Sequence, residues 1–203
     1  MKYKQIPQDT FQRLVMNAGI LVDDFTPASG EIGNLLGATT GGIQFHDTVT
    51  YIDKGEDIDN CPKNTKELKE VDEHEVRMSG TFLTADNASV KMLMAAADID
   101  GTDATKIVPR NYLTQTDFTD LWWIGDYSDV NTGDDAGFLA IHLMNALNTN
   151  GFQIQSTDNN KATMAFDFLG HYSIDEQDVV PYEVFIAAGT AAEGATGATG
   201  ATA

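Results

Sequence analysis

The chain has one cysteine, Cys61, so no disulfide can close within it, and without a second thiol a thiolate zinc site lacks its ligands. Bases are scarce as well. Twelve Lys and Arg stand against thirty-one Asp and Glu, a formal charge of -19, and such a chain repels nucleic-acid phosphates instead of gathering them. After Arg110 the only base is Lys161, set against thirteen carboxylates, so that half must present an acidic surface. No apolar run approaches the roughly twenty residues of a membrane helix, and MKYKQIPQDTF lacks the apolar centre of a secretory leader. The expectation is a soluble protein made in the cytoplasm, with no membrane partner.

Catalytic signatures are missing too. The sequence has no Gly-x-Ser-x-Gly elbow, phosphate-cradling glycine loop or Cys/His pair. His46, His74, His142 and His171 fall on four separate predicted strands, with no i, i+2 or i, i+4 pair to build a metal face. Asp98, Asp100 and Asp103 surround Gly101, but Pro109 stands where a calcium loop needs its glutamate, so they read as a solvated turn. GEDIDN, residues 55–60, reads the same way. No catalytic residue, metal or cofactor is assigned, and the chain is not expected to be an enzyme.

What is present is alternation. In GGIQFHDTVTYID, Ile43, Phe45, Val49 and Tyr51 share one face, while Gln44, His46, Thr48 and Thr50 share the other. In VDEHEVRMSGTF, His74, Val76, Met78 and Phe82 oppose Glu73, Glu75, Arg77, Ser79 and Thr81. Between these strands lies KGEDIDNCPKNTKELKE. Hairpin loops usually take two to five residues, so this connection is expected to need a partner to order it. Asp86 or Asn87 should cap a helix over ASVKMLMAAAD, with Val90, Leu93, Met94 and Ala97 at helical spacing.

Beyond the helix, FTDLWWIGDYS, AGFLAIHLMNAL, GFQIQST, KATMAFDFLGHYS and VVPYEVFIAA read as strands, the second apolar enough to be covered on both faces, with a short helix as the alternative for it. Adjacent Trp122 and Trp123 must point to opposite sides of their strand, one into the core and the other toward solvent, a sugar or a neighbouring subunit. The expected fold is mainly β: an antiparallel two-sheet sandwich or partly closed barrel with one flanking helix. A polar arm, residues 1–12, precedes it, and a Gly-Ala-Thr tail, 189–203, follows the β domain of residues 13–188.

GATTGGIQF, the GEDIDNCPKNTKELKE connection and the following EVRMSGTF strand together resemble the major tail tube proteins of long-tailed bacteriophages. The resemblance implies a structural subunit that assembles with itself into six-membered rings, which stack into a tube of the virion tail. It implies other tail proteins as partners and an acidic lumen through which DNA passes without specific binding. Residues 54–72 would be the ring-stacking loop, carrying Lys54, Glu56, Asp57, Asp59, Lys63, Lys66, Glu67, Lys69 and Glu70. Gln44, Thr48, Thr50, Glu73, Glu75, Ser79 and Thr81 would face the channel, with Arg77 pairing to Glu73 or Glu75 across a subunit boundary. A carbohydrate-binding or adhesive β-sandwich, resting on Trp122, Trp123 and Tyr127, is the competing expectation.

Overall fold

The computed structural model describes residues 6–7, 10–127 and 136–189. Most of the expected arm, the reversal at 131–135 and all of the tail beyond Gly189 lie outside these residues. Eleven strands are described: β1 (Val15–Val22), β2 (Phe25–Thr26), β3 (Glu31–Ile32), β4 (Gln44–Asp53), β5 (Lys69–Phe82), β6 (Ala97–Ile99), β7 (Ile107–Pro109), β8 (Thr119–Tyr127), β9 (Gly137–Asn148), β10 (Met164–Leu169) and β11 (Tyr182–Ala187). One α-helix, α1 (Asn87–Met94), stands between β5 and β6. The fold is mainly β and antiparallel, as expected.

The sandwich is made by one sheet. Seven strands run in the order β1-β8-β9-β10-β5-β4, with β11 also on β9, and the barrel is not closed. β9 is the shared element: β11 pairs with Phe138 to Leu143 on one of its edges, and β10 takes over at Leu147 and Asn148. Only two residue pairs join β9 to β10, so the sheet can turn there and bring its halves face to face. Phe45 of β4 and Tyr182 of β11 meet across that gap, ring centroids 5.2 Å apart, although their strands never pair. Leu21, Leu121 and Leu143 from one half pack with Val76, Met78, Phe82, Phe166 and Phe168 from the other, closed at one end by Leu93 of α1.

Each element follows from its residues. Asp86 caps α1, accepting the Ser89 N–H at 2.6 Å, which holds its carboxyl below the usual carboxylate range. β9 is a strand along its whole length, and every residue is buried or half-buried, because the facing half covers one side while Phe25 and Trp122 help to cover the other. Phe25 stands edge-on to both Trp122 and Phe138, forming a second, smaller core on the outer face. The seam between the halves is pinned by Asn148, which is buried. Its amide donates to Leu93 O at 2.7 Å and Gly151 O at 3.1 Å, and its oxygen accepts from Asp167 N at 3.0 Å.

Three expectations need correction. GFQIQST is not a strand; it touches the rest through an isolated bridge between Gln155 and Thr163. Its Phe152 and Ile154 stay exposed. His171 lies beyond the end of β10, not on it. Finally, the β6–β7 hairpin was not foreseen, because its strands are three residues each; it is held by Arg110, whose guanidinium meets Asp98 at 2.7 Å and the fully buried Asp117 carboxylate.

Candidate assembly surface

β4 and β5 form one long hairpin, paired from Gln44–Ser79 to Asp53–Lys69. Its outer face carries every residue expected to line a channel. Gln44 lies opposite Ser79, Thr48 opposite Glu75 and Thr50 opposite Glu73, and Thr81 continues the same row. Gln44, Thr48, Thr50, Glu73 and Glu75 are exposed, while Ser79 and Thr81 are half-buried. Arg77 sits among them, and its partners are internal: Glu75 on the same strand and Asp167 of β10 at 2.8 Å, with Thr149 at 3.2 Å. A pairing across a subunit boundary is therefore not needed to neutralise it.

The loop also differs from expectation, since it orders itself. β5 begins at Lys69, so Lys69 and Glu70 belong to the hairpin and the loop proper is residues 54–68, with Glu56, Asp57, Asp59, Lys63, Lys66 and Glu67 exposed on it. Asp53 is its pin, accepting Gly55 N at 3.0 Å and Asn64 N at 2.8 Å; those N–H groups, Asn64 first, keep its carboxyl below the ordinary range. The half-buried Cys61 thiol fills the space over Gly55, where an added Cβ would lie 2.9 Å from the sulfur. Lys54 pairs with Glu70, Lys63 stands 4.0 Å from Glu56, and Lys66 stands 3.4 Å from Glu67. The fifteen-residue loop thus folds its backbone inward onto one carboxylate.

What the loop's stem leaves uncovered was not legible in the alternation. Between Thr50 and Tyr51 the register slips, and the extra residue Asp72 rephases β5 so that Val71 comes opposite Tyr51. Both then extend the apolar side of the hairpin past the core, 55% and 54% exposed. Lys69 lies 4.9 Å over the Tyr51 ring, while Ile52, on the opposite face of β4, and Ile58 in the loop are also exposed. Among the described residues β4 and β11 each pair on one side only, and β1 meets just the isolated Val22–Leu35 bridge on its outer side, so three strand edges keep free backbone groups. β1 is interrupted, with Asn17 and Gly19 at φ of +66° and +72° and its register lost between Met16 and Ile20. β11 is regular and presents Val184 and Ile186, the latter 63% exposed.

The tryptophans are placed on opposite sides, as their adjacency requires, but neither is an open platform. Trp122 is 6% exposed and stacks flat on His142 at 4.0 Å. Trp123 is half-buried, its ring lying against Gly19 and Gly125 and its N–H donating to Ala18 O at 3.0 Å. Among the described residues no three His, Cys, Asp or Glu side chains are placed to hold a metal ion. His74 is the histidine with the most defined setting: Nδ1 lies 2.9 Å from Asp47 Oδ2, which also accepts the Tyr182 hydroxyl at 3.1 Å. This group bridges the two halves of the sheet at the open end of the core.

The chain matches no known family model, and no curated protein matches it.

Proposed function

We propose that this chain is a structural subunit that assembles with itself into stacked rings, six-membered as in the phage tail tubes it resembles, forming a tube whose acidic lumen lets DNA slide through. The observation that carries the reading is the β4–β5 hairpin, whose apolar side continues past the core and ends in Tyr51 and Val71, each more than half exposed. Apolar residues at this density on a chain of charge -19 are costly to leave wet, and a second copy is a surface that would cover them repeatedly. The free edges of β4 and β11 give such a copy backbone groups to pair with, and ring closure would remove both edges at once. The polar outer face of the hairpin, with Glu73 and Glu75 exposed, then suits a wall that repels phosphate.

Negative-stain microscopy of the purified chain at rising concentration tests this. Rings or tubes are expected, favoured by added salt, which screens like-charged neighbours. Because the loop satisfies its own hydrogen bonds, its protection from amide exchange in a monomer would not count against assembly. A strictly monomeric protein at every concentration and salt level would.

A further inference from the structure

Asn150 and Gly151 form the single Asn-Gly pair of the chain, and they lie on the exposed turn that leaves β9. In such a pair the glycine nitrogen meets the least hindrance in attacking the preceding side-chain amide, because glycine carries no Cβ. The surroundings are open as well: Gly151 has φ of +68°, and a Cβ built on it would meet nothing within 4 Å. The carbonyl that would be attacked is already engaged. The Gln153 amide donates to Asn150 O at 3.0 Å and to Asn150 Oδ1 at 3.1 Å. A donor on Oδ1 polarises the Cγ=O bond and stands where negative charge develops when Cγ is attacked.

We infer that Asn150 is a site of spontaneous modification, converting to aspartate and isoaspartate with Gln153 assisting the attack. The Gly151 nitrogen loses its proton to solvent base and bonds to Cγ. The Cγ–Nδ2 bond then breaks and ammonia leaves, closing a succinimide. Water opens this ring at Cγ to give aspartate, or at the former backbone carbonyl carbon to give isoaspartate, whose main chain runs through the side-chain carbons. No oxidant or reductant takes part, and either product adds one negative charge to the formal -19. Asp100 and Gly101 form the corresponding Asp-Gly pair. There the Thr102 hydroxyl, at 2.7 Å, and the Thr102 N–H, at 2.9 Å, hold the carboxyl below its ordinary range, and an ionised carboxylate is a poor electrophile.

The site adjoins the seam between the two halves of the sheet. Asn148 donates to Gly151 O at 3.1 Å, and its own oxygen stands 3.4 Å from Asn150 N. Isoaspartate inserts one carbon into the main chain between those two contacts, whereas aspartate keeps the spacing. The first product therefore loosens the seam and the second leaves it in place, so the chain carries a chemical record of its age beside the residue that joins its halves.

The test incubates the full chain at mildly alkaline pH and follows it by peptide mapping with electron-transfer fragmentation, which tells the two products apart. Loss of the amide is expected at Asn150 well ahead of Asn148 and Asn159. Gln153→Ala should slow it roughly two- to tenfold, the rate equivalent of one hydrogen bond. Gln153→Glu, which keeps the size but replaces the donor with an acceptor, should slow it at least as much; both changes are on an exposed side chain, and thermal unfolding checks that the variants stay folded. The isoaspartate fraction, separated by anion exchange, should unfold at a lower temperature than fresh protein, and Asn150→Asp should not. An intact Asn150 in chains that have lost amides elsewhere overturns the site. A rate unchanged or raised in either Gln153 variant overturns the part given to that residue, and equal unfolding temperatures for fresh and isoaspartate forms overturn the effect on the seam.

Discussion

Replacing Asn148 by alanine should loosen the seam on which the two halves of the sheet turn. The side chain is 4% exposed and makes three bonds of 3.1 Å or less, to Leu93 O, Gly151 O and Asp167 N, with a weaker one to Asn150 N at 3.4 Å. A net intramolecular hydrogen bond contributes about 0.5–1.5 kcal/mol, and a buried group left unpaired costs about 1–3 kcal/mol. Gly151 is exposed and can turn to water, whereas Leu93 is buried and Asp167 half-buried, so a loss of roughly 3 kcal/mol is expected. For a chain of this size that corresponds to a fall in Tm of about 6–12 °C. Thermal unfolding followed by circular dichroism reads it, with Ser156→Ala on an exposed stretch as a control expected within about 0.5 kcal/mol. Asn148→Asp separates the bonds further: it keeps the acceptors but aims a carboxylate at two carbonyls, so it should destabilise near neutral pH and recover as the carboxylate is protonated. A loss below about 1 kcal/mol for the alanine variant would refute the idea that this residue holds the halves together.

Asp86→Ala removes the cap of α1 and should cost about 1 kcal/mol, read from the denaturant midpoint at unchanged slope. Gly55→Val should disturb the loop, since its side chain would press on Cys61 and Leu68, and faster amide exchange confined to residues 54–68 would report it. Deleting residues 56–67 should abolish tubes while leaving a folded monomer; tubes that persist would remove the loop from the assembly. The pH response should have two limbs. Asp53, Asp86 and Asp117 all sit below the ordinary carboxylate range, for Asp117 because the Thr114 and Arg110 donors outweigh an opposing burial effect. Their contribution is present above the unfolded value near ~3.9 and is lost as pH falls through the lower folded values. Between neutrality and the isoelectric region near 4.2, self-repulsion falls first, so stability should hold or rise before it drops. A steady decline from pH 7 downward would contradict this order.

The alternation of Phe45, Val49, Val76 and Met78 against Thr48, Thr50, Glu73 and Glu75 was legible because the strand period is two and one face is buried. Asp86 as a cap was legible for an equally local reason. Tyr51 was read on the same face, but Val71 was not, because a single inserted residue, Asp72, changes the phase of β5 and only the partner strand reveals it. The β9 run hid its pairing in its uniformity: a strand covered on both faces gives no sign of which neighbours cover it. GFQIQST misled because alternation reports only willingness to pair and names no partner; the segment makes only an isolated bridge to Thr163. The long loop misled because Asp53, one carboxylate before it, does the work that was assigned to a neighbour.

The chain's only thiol is lodged in the loop, 3.7 Å from both Pro62 O and Thr65 Oγ1 and directly above Gly55. Its half-buried position should slow alkylation relative to an open thiol, so the rate of mass gain on the wild-type polypeptide responds to opening of residues 54–68. Running the same measurement on dispersed and polymerised samples compares the loop's breathing in each, with no label to engineer and no second cysteine to confuse the reading.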